Sequence, residues 1–292
     1  MISEGQQADG RYCRYFRLGA TEVDLFNRLR LKSLLGFFQE TAGDQCEEFG
    51  SGWTTLWNGH GLCYVVVRME VRMDRYPGTG ETIRVDTWPE NRLRMLFERY
   101  GEIFDESGAR VGAIVSQWAL LDVKARHFVR PDPNIIPMPD TSALAAPFAL
   151  SRESSVRGAV NGGEKGGDSF GDNGVGVLSR DVSFLRTPVF SDFDYNGHMN
   201  NARYAEWITD AFWNALTPEE RAFSPAIRRM EIKFRAEIPA EHIDAPIELR
   251  GCILPEEKCF SLKGIDRSAA EADSDPSVRE TVHFECEGEY YF

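Results

Sequence analysis

Histidine, cysteine and long apolar runs are all scarce in this chain of 292 residues, and each shortage closes a line of interpretation. No stretch approaches the roughly 20 apolar residues of a membrane-spanning helix, so no membrane span is expected. The six cysteines (Cys13, Cys46, Cys63, Cys252, Cys259, Cys286) are scattered and form no C-x-x-C pair. In a chain this long that favours reduced thiols in a cytosol over a disulfide framework. The five histidines contain no H-x-x-x-H pair, so no metal and no cofactor is expected. Positive charge is also in deficit. Lys and Arg number 33 against 46 Asp and Glu, a net charge of −13, which argues against nucleic acid as a partner. The first residues, Met1-Ile2-Ser3-Glu4-Gly5, are acidic and polar with no signal or transit pattern, so the expected location is cytoplasmic.

What remains is a chain with apolar content ample for a core: 42% apolar residues and 12% aromatic, enough for a bulky or ligand-accepting interior. A short strand is expected from Tyr12 to Leu18, after a loose tail over residues 1–11. Leu31, Leu34, Leu35, Phe38 and Ala42 then fall at helical spacing, predicting a helix from about Arg30 to Phe49 that Gly50 and Gly52 stop. Beyond a turn at Asn58–Gly61, strands are expected at Leu62–Met73, Thr82–Trp88, Arg92–Phe104 and Ala109–Asp122. The last two are joined by the hairpin turn Asp105-Glu106-Ser107-Gly108. One helix followed by antiparallel strands is α+β. From Pro131 to Gly176 the composition turns to Pro and then Gly, the texture of a linker.

The second half repeats the first. A short strand (Arg180–Leu185), a polar loop and a helix lead to strand segments at Ala226–Ile238, Pro246–Cys252, Lys258–Asp266 and Val278–Phe292, with a loop at Arg267–Ser277. Thr217-Pro218-Glu219-Glu220 reads as a capped short helix. Arg68-Met69-Glu70-Val71-Arg72-Met73 stands beside Arg229-Met230-Glu231-Ile232-Lys233-Phe234 as a near match. At an offset of 169, Asn27 falls on Asn196 and Leu29 on His198, which puts an apolar residue where the second copy has an imidazole.

The polar loop of the second copy runs Asp192-Phe193-Asp194-Tyr195-Asn196-Gly197-His198-Met199-Asn200-Asn201-Ala202-Arg203-Tyr204. Asp194, Asn196, His198 and Asn200 occupy alternate positions. Tyr204, Trp207, Ile208, Ala211 and Phe212 follow at the spacing of a helix with one buried face. Asn200 or Asn201 is the natural N-cap. Proton-transfer groups thereby stand beside the positive end of a helix dipole, where a developing oxyanion can be held. On residue types alone the loop is equally an ordinary turn.

The string D-x-N-x-H-x-N-N-x-x-Y from Asp194 to Tyr204, with Glu206 and Trp207 beyond, resembles the acyl-acyl-carrier-protein thioesterases best known from plant plastids. Glu231-Ile232-Lys233-Phe234-Arg235-Ala236-Glu237 is similar to that family's strand segment ending in a functional Glu, which makes Glu237 the equivalent acid. Ile238 stands where members often carry Cys, so a Cys–His mechanism is unavailable at that position.

The resemblance implies two tandem hotdog units, each a long helix wrapped by an antiparallel sheet, forming a double-hotdog. Residues 1–131 would be an N-terminal unit with a degenerate site that selects the acyl chain, 132–177 a linker, and 178–292 the catalytic unit. It implies hydrolysis of acyl-acyl-carrier-protein thioesters to free fatty acid, with Asp194, Asn196, His198 and Glu237 as catalytic residues and Asn200 and Asn201 at the helix start. Asp194 or Glu237 would serve as base toward water, or Asp194 as nucleophile, and His198 as proton shuttle. The alternatives are an acyl-coenzyme A thioesterase on the same site, a dehydratase on the same scaffold, and a non-catalytic acyl-binding hotdog protein. A homodimer is left open. Since acyl carrier proteins are acidic, docking needs a local basic patch, and two sets offer one: Arg221, Arg228, Arg229, Lys233 and Arg235, or Arg92, Arg94, Arg99, Arg126 and Arg130.

Overall fold

The computed structural model describes residues 3–91, 94–150, 179–266 and 280–292. The chain forms two compact units, Met1–Leu150 and Ser151–Phe292. In the first, β1 (Gly5–Gln6) and β2 (Tyr12–Arg17) precede helix α1 (Leu31–Glu48) and a π-helical turn (Thr55–His60). Strands β3 (Leu62–Met73), β4 (Thr82–Pro89), β5 (Leu96–Phe104), β6 (Arg110–Asp122) and β7 (His127–Val129) follow. They pair antiparallel in the order β1-β2-β4-β5-β6-β3, with β7 on the far end of β6. The second unit holds β8 (Arg180–Arg186), α2 (Asn201–Ala215), α3 (Pro218–Ala222), β9 (Ala226–Phe234), β10 (Ile247–Leu254), β11 (Cys259–Asp266) and β12 (Thr281–Tyr291). Its antiparallel order is β8-β10-β11-β12-β9.

The two orders are the same walk: β2-β4-β5-β6-β3 in one unit, β8-β10-β11-β12-β9 in the other. In each, the central helix lies against the first strand and its neighbour, α1 on β2 and β4, α2 on β8 and β10. The fold is therefore α+β, two tandem hotdog units, and the duplication read from the sequence extends to strand order. Among the described residues no helix is long and apolar enough to cross a membrane.

The helices form where the apolar period demanded. Leu31, Leu34, Leu35, Phe38 and Ala42 of α1 are buried, as are Tyr204, Trp207, Ile208, Ala211 and Phe212 of α2. Helix α1 stops where Gly50 takes up a left-handed φ of 70°. Thr217 caps α3, its side chain accepting from the Glu220 N–H at 3.2 Å. The N-terminal stretch is less loose than its composition suggests, because Gly5 and Gln6 pair with Cys13 and Tyr12.

Residues 132–150, expected to begin a linker, instead pack on the first unit. Ile136 is fully buried with Leu56 and Leu120. Leu144, Phe148 and Leu150 cover Trp88, Tyr100 and Val115, and the Thr141 hydroxyl donates to the Pro89 carbonyl at 2.9 Å. Proline-rich composition signals absence of regular structure, not absence of packing. Residues 151–177 of the expected linker and the expected loop at 267–277 lie outside the described residues.

Helix and sheet approach closely where a strand carries glycine. A Cβ added at Gly101 would lie 2.7 Å from the Phe38 ring. In the second unit the close approach is between paired strands instead: a Cβ at Gly264 of β11 would overlap the Phe284 ring of β12, and one at Gly288 of β12 the Phe260 ring of β11. By contrast, a Cβ at Gly36 of α1 meets nothing within 4 Å. Gly101→Ala should therefore cost about 1–3 kcal/mol by overpacking, whereas Gly36→Ala should gain about 0.5–1 kcal/mol from helix propensity. Urea unfolding of both variants checks the pair, and equal shifts of the same sign would contradict this account of the packing.

Candidate active site

The loop before α2 is built by backbone hydrogen bonds that turn the chain through Asp194–His198. The Asp194 N–H donates to the His198 carbonyl at 3.0 Å, and the Gly197 N–H to the Asp194 carbonyl at 3.0 Å. Gly197 sits at φ 79°, a conformation that favours glycine. The Asp194 carboxylate works inside the loop, with Oδ1 accepting from the Asn196 N–H at 2.9 Å and Oδ2 lying 3.4 Å from Asn200 Nδ2. Asn200 is the N-cap, its Oδ1 accepting from the Ala202 N–H at 2.9 Å. Asn201 is the first helical residue. Arg203 pins the helix start to the preceding turn, donating to the Ser191 carbonyl at 2.9 Å and pairing with Glu206 at 2.6 Å.

A second segment, just beyond β9, runs alongside. The Met199 N–H donates to the Ile238 carbonyl at 2.9 Å, the Ala240 N–H to the Gly197 carbonyl at 2.9 Å, and His198 bridges to Pro239. That seam puts Glu237 against the loop, with Oε2 3.0 Å from His198 Nε2. Both side chains are part-exposed, at 28% for His198 and 35% for Glu237, so the pair is reachable from solvent. Asp194, Asn196, His198, Asn200 and Glu237 are thus brought together by one loop and one strand end.

Two buried groups hold the Glu237 segment from behind. The Tyr204 ring stands edge-on to Phe234 and to Phe284, each at 5.2 Å, and burial pushes its phenol well above the usual range. Nδ1 of the buried His283 lies 3.0 Å from the Glu237 carbonyl. A carbonyl only accepts, so Nδ1 carries the proton and the ring is held as one neutral tautomer. Burial lowers the His283 pKa below its ordinary 6.5, which keeps the ring neutral. His283 did not stand out in the sequence, because a single histidine in a strand has no spacing to mark it.

The first unit carries the same loop at an offset of 170, not 169. The Asp24 N–H donates to the Arg28 carbonyl at 2.8 Å and the Phe26 N–H to Asp24 Oδ1 at 2.9 Å. The Leu29 N–H donates to the Pro77 carbonyl at 2.8 Å. Asn27, at φ 57°, takes the place of Gly197, so it aligns with that glycine rather than with Asn196. Arg28, not Leu29, therefore stands where the second unit has His198. Phe26 replaces Asn196, and Tyr76 precedes Pro77 as Glu237 precedes Ile238. Only Asp24 is kept, and it forms an ion pair with Arg28 at 2.8 Å.

One member of each basic set is buried. Arg229 is buried and paired with Glu231 at 2.9 Å, and Lys233 reaches the same Glu231 at 3.3 Å. Arg99 is buried and donates to Gln45 at 2.8 Å. Arg92 lies outside the described residues. In the first unit a cavity of about 170 Å³ opens beside α1, lined mainly by apolar atoms of Ala42, Cys46, Trp53, Tyr64, Phe97 and Trp118.

Residues 10–138 match the family model described as the acyl-ACP thioesterase N-terminal domain, and residues 188–254 that of the thioesterase-like superfamily. A chloroplastic acyl-[acyl-carrier-protein] hydrolase of Cuphea viscosissima is 28% identical over 204 residues, 66% of this chain and 45% of that protein. The chloroplastic palmitoyl-acyl carrier protein thioesterase of Gossypium hirsutum is 25% identical over 206 residues, 68% of this chain and 46% of that protein. The chain spans about half the length of these curated relatives. The crystal structure of an acyl-ACP thioesterase from Bacteroides thetaiotaomicron superposes with a TM-score of 0.73 at 22% identity, covering 97% of this chain and 98% of that one. The 12:0-ACP thioesterase from Umbellularia californica gives 0.67 at 17% identity, covering 96% and 97%.

His283 makes stability depend on pH with a definite sign. Its pKa is lower folded than unfolded, so below 6.5 the unfolded chain binds a proton that the folded chain refuses. Stability should therefore fall as pH drops through about 6.5 towards the folded value, and be fully present above it. In denaturant melts run in chelator from pH 8 to pH 5, His283→Gln should lose this part of the slope. A variant slope equal to that of the parent would remove His283 as its source.

Proposed function

Because the chain belongs to the acyl-acyl-carrier-protein thioesterase family, we propose that it hydrolyses acyl-acyl-carrier-protein thioesters, releasing free fatty acid. The observation that carries this reading is the 3.0 Å contact between His198 and Glu237 at the mouth of an N-capped helix. In the proposed reaction the pair takes a proton from water as its oxygen attacks the thioester carbonyl. The oxyanion that forms is held by the Asn196 amide and the N-terminal end of α2 at Asn201. As the C–S bond breaks, His198 returns the proton to the departing phosphopantetheine thiolate. Asp194, whose carboxylate already accepts within its own loop, acts by holding that loop in register, as does Asn200. Water attack is the route this favours over attack by Asp194. Thiol chemistry finds little support, since burial pushes Cys13 and Cys259 up to about 11 and Cys286 well above its ordinary value. All six cysteines are free thiols, which suits a reducing cytoplasm.

His198→Ala and Glu237→Ala should each lower turnover by about 10²–10⁴ with unfolding curves close to the parent. Assays run side by side on acyl-acyl-carrier-protein and acyl-coenzyme A of matched chain length should favour the carrier protein. Preference for coenzyme A would move the proposal to the alternative carrier, and near-parental turnover in either variant would remove that residue from the reaction.

We further propose that the first unit, with Arg28 and Tyr76 at the imidazole and carboxylate places, contributes acyl-chain selection and no chemistry. The cavity beside α1 supports this reading, with walls that are mostly aromatic and aliphatic. Each buried methylene contributes about 0.8 kcal/mol, so a wall moved by a few carbons shifts preference. Trp53→Ala should lengthen the preferred acyl chain and Ala42→Phe should shorten it, with far less loss of total activity than His198→Ala. Phe38 is buried under Gly101 and Trp57 stacks behind Trp53, so they are poorer probes. A product profile unchanged in both stable variants would place selection elsewhere.

A further inference from the structure

Behind the seam that carries Glu237, three metal-capable side chains from three separate elements converge. His242 ends the short turn Ala240–His242, Asp266 ends β11, and His283 lies in β12. One ligand atom from each falls within 4.8 Å of the other two. His242 Nε2 and Asp266 Oδ2 are 2.9 Å apart, and the two imidazole rings stand edge to face at 5.6 Å.

The trio is produced by a break in the sheet. Along the β11–β12 ladder Gly264 faces Phe284 and Ile265 faces Val282, so His283 is the extra residue of a β-bulge. Bulges re-aim a side chain that regular pairing would send to the other face. His283 is 2% exposed, and its Nε2 is buried with no hydrogen-bond partner. Leaving such an atom unsatisfied is costly. Its Nδ1 proton is meanwhile committed to the Glu237 carbonyl at 3.0 Å. One ring nitrogen donating to a carbonyl while the other presents a bare lone pair is how protein imidazoles are oriented for a metal.

From this geometry we propose that His242, Asp266 and His283 form a binding site for a divalent transition metal, with zinc as the best fit. Two imidazoles and one carboxylate suit Zn²⁺, whose four-coordinate sites use these donors at about 2.0–2.2 Å. Tetrahedral ligands at that distance lie roughly 3.3 Å apart. The His242–Asp266 pair is already within that spacing, and a small inward movement of the His242 turn closes the rest. The fourth position would be left to water, which the 28% exposure of the His242 side chain admits. The site would clamp the turn that follows Glu237 to β11 and β12, stiffening the support of the candidate acid without touching substrate. The assignment stands on this cluster alone and does not depend on the proposed reaction.

The test uses the full-length, tag-free protein, stripped with chelator, desalted and titrated with Zn²⁺. Calorimetry and elemental analysis should give one equivalent bound, and thermal melting should rise with added Zn²⁺ but not with Mg²⁺. Affinity should fall at least about tenfold in His242→Ala and in Asp266→Asn. The first removes a part-exposed ligand and the second keeps the side-chain shape, so both variants should remain folded by circular dichroism. With Co²⁺ in place of Zn²⁺, the visible spectrum should show nitrogen and oxygen ligation without a thiolate charge-transfer band. No binding at micromolar Zn²⁺, a thiolate band, or parental affinity in both variants would each overturn the assignment.

Discussion

The candidate site depends on one backbone contact, the hydrogen bond from the Met199 N–H to the Ile238 carbonyl. It joins the loop before the central helix to the strand end that follows β9. With the Ala240 N–H to Gly197 carbonyl bond beside it, it fixes the distance between His198 and Glu237. The same contact recurs in the first unit between Leu29 and Pro77. A scaffold bond that persists where the imidazole and carboxylate are absent belongs to the fold, and the side chains of the candidate site are fitted to it. This is economical, because side chains two residues apart on one loop and one residue before the seam are aligned by main-chain geometry alone.

Much of this was legible in the sequence because it is written in local periodicity. The 3.6-residue spacing from Leu31 and from Tyr204 located both helices, and β3 at Leu62–Met73 has the limits its β-branched run suggested. The motif from Asp194 to Tyr204 identified the loop, and the Glu231–Glu237 segment identified its partner. The contact between them, however, is a long-range fact that only the resemblance implied.

What escaped has physical causes of the same kind. The offset between the copies is 170 and not 169 because Asn27, for all its likeness to Asn196, is paired with Gly197 by its backbone dihedral. An asparagine tolerates the left-handed region well enough to stand in for glycine. Residues 132–150 carry a loop's composition yet bury Ile136, and burial without regular structure leaves no period to read. The bulge at His283 is a defect in pairing between two strands, a property of neither strand's sequence by itself.

The ion pair of Arg28 with Asp24 has a consequence for how the chain can change. The guanidinium holds the carboxylate through its planar hydrogen-bonding fork, so this loop is braced by a group with no part in proton transfer. In the proposed reaction its counterpart at His198 and Glu237 must remain soft enough to trade a proton. Duplication has therefore separated two demands that a single copy would have to reconcile. On the proposed division of labour, substitutions in the first loop register in how long the protein survives, and those in the second in how fast it works. Durability and turnover become traits that can drift, or be engineered, independently of one another.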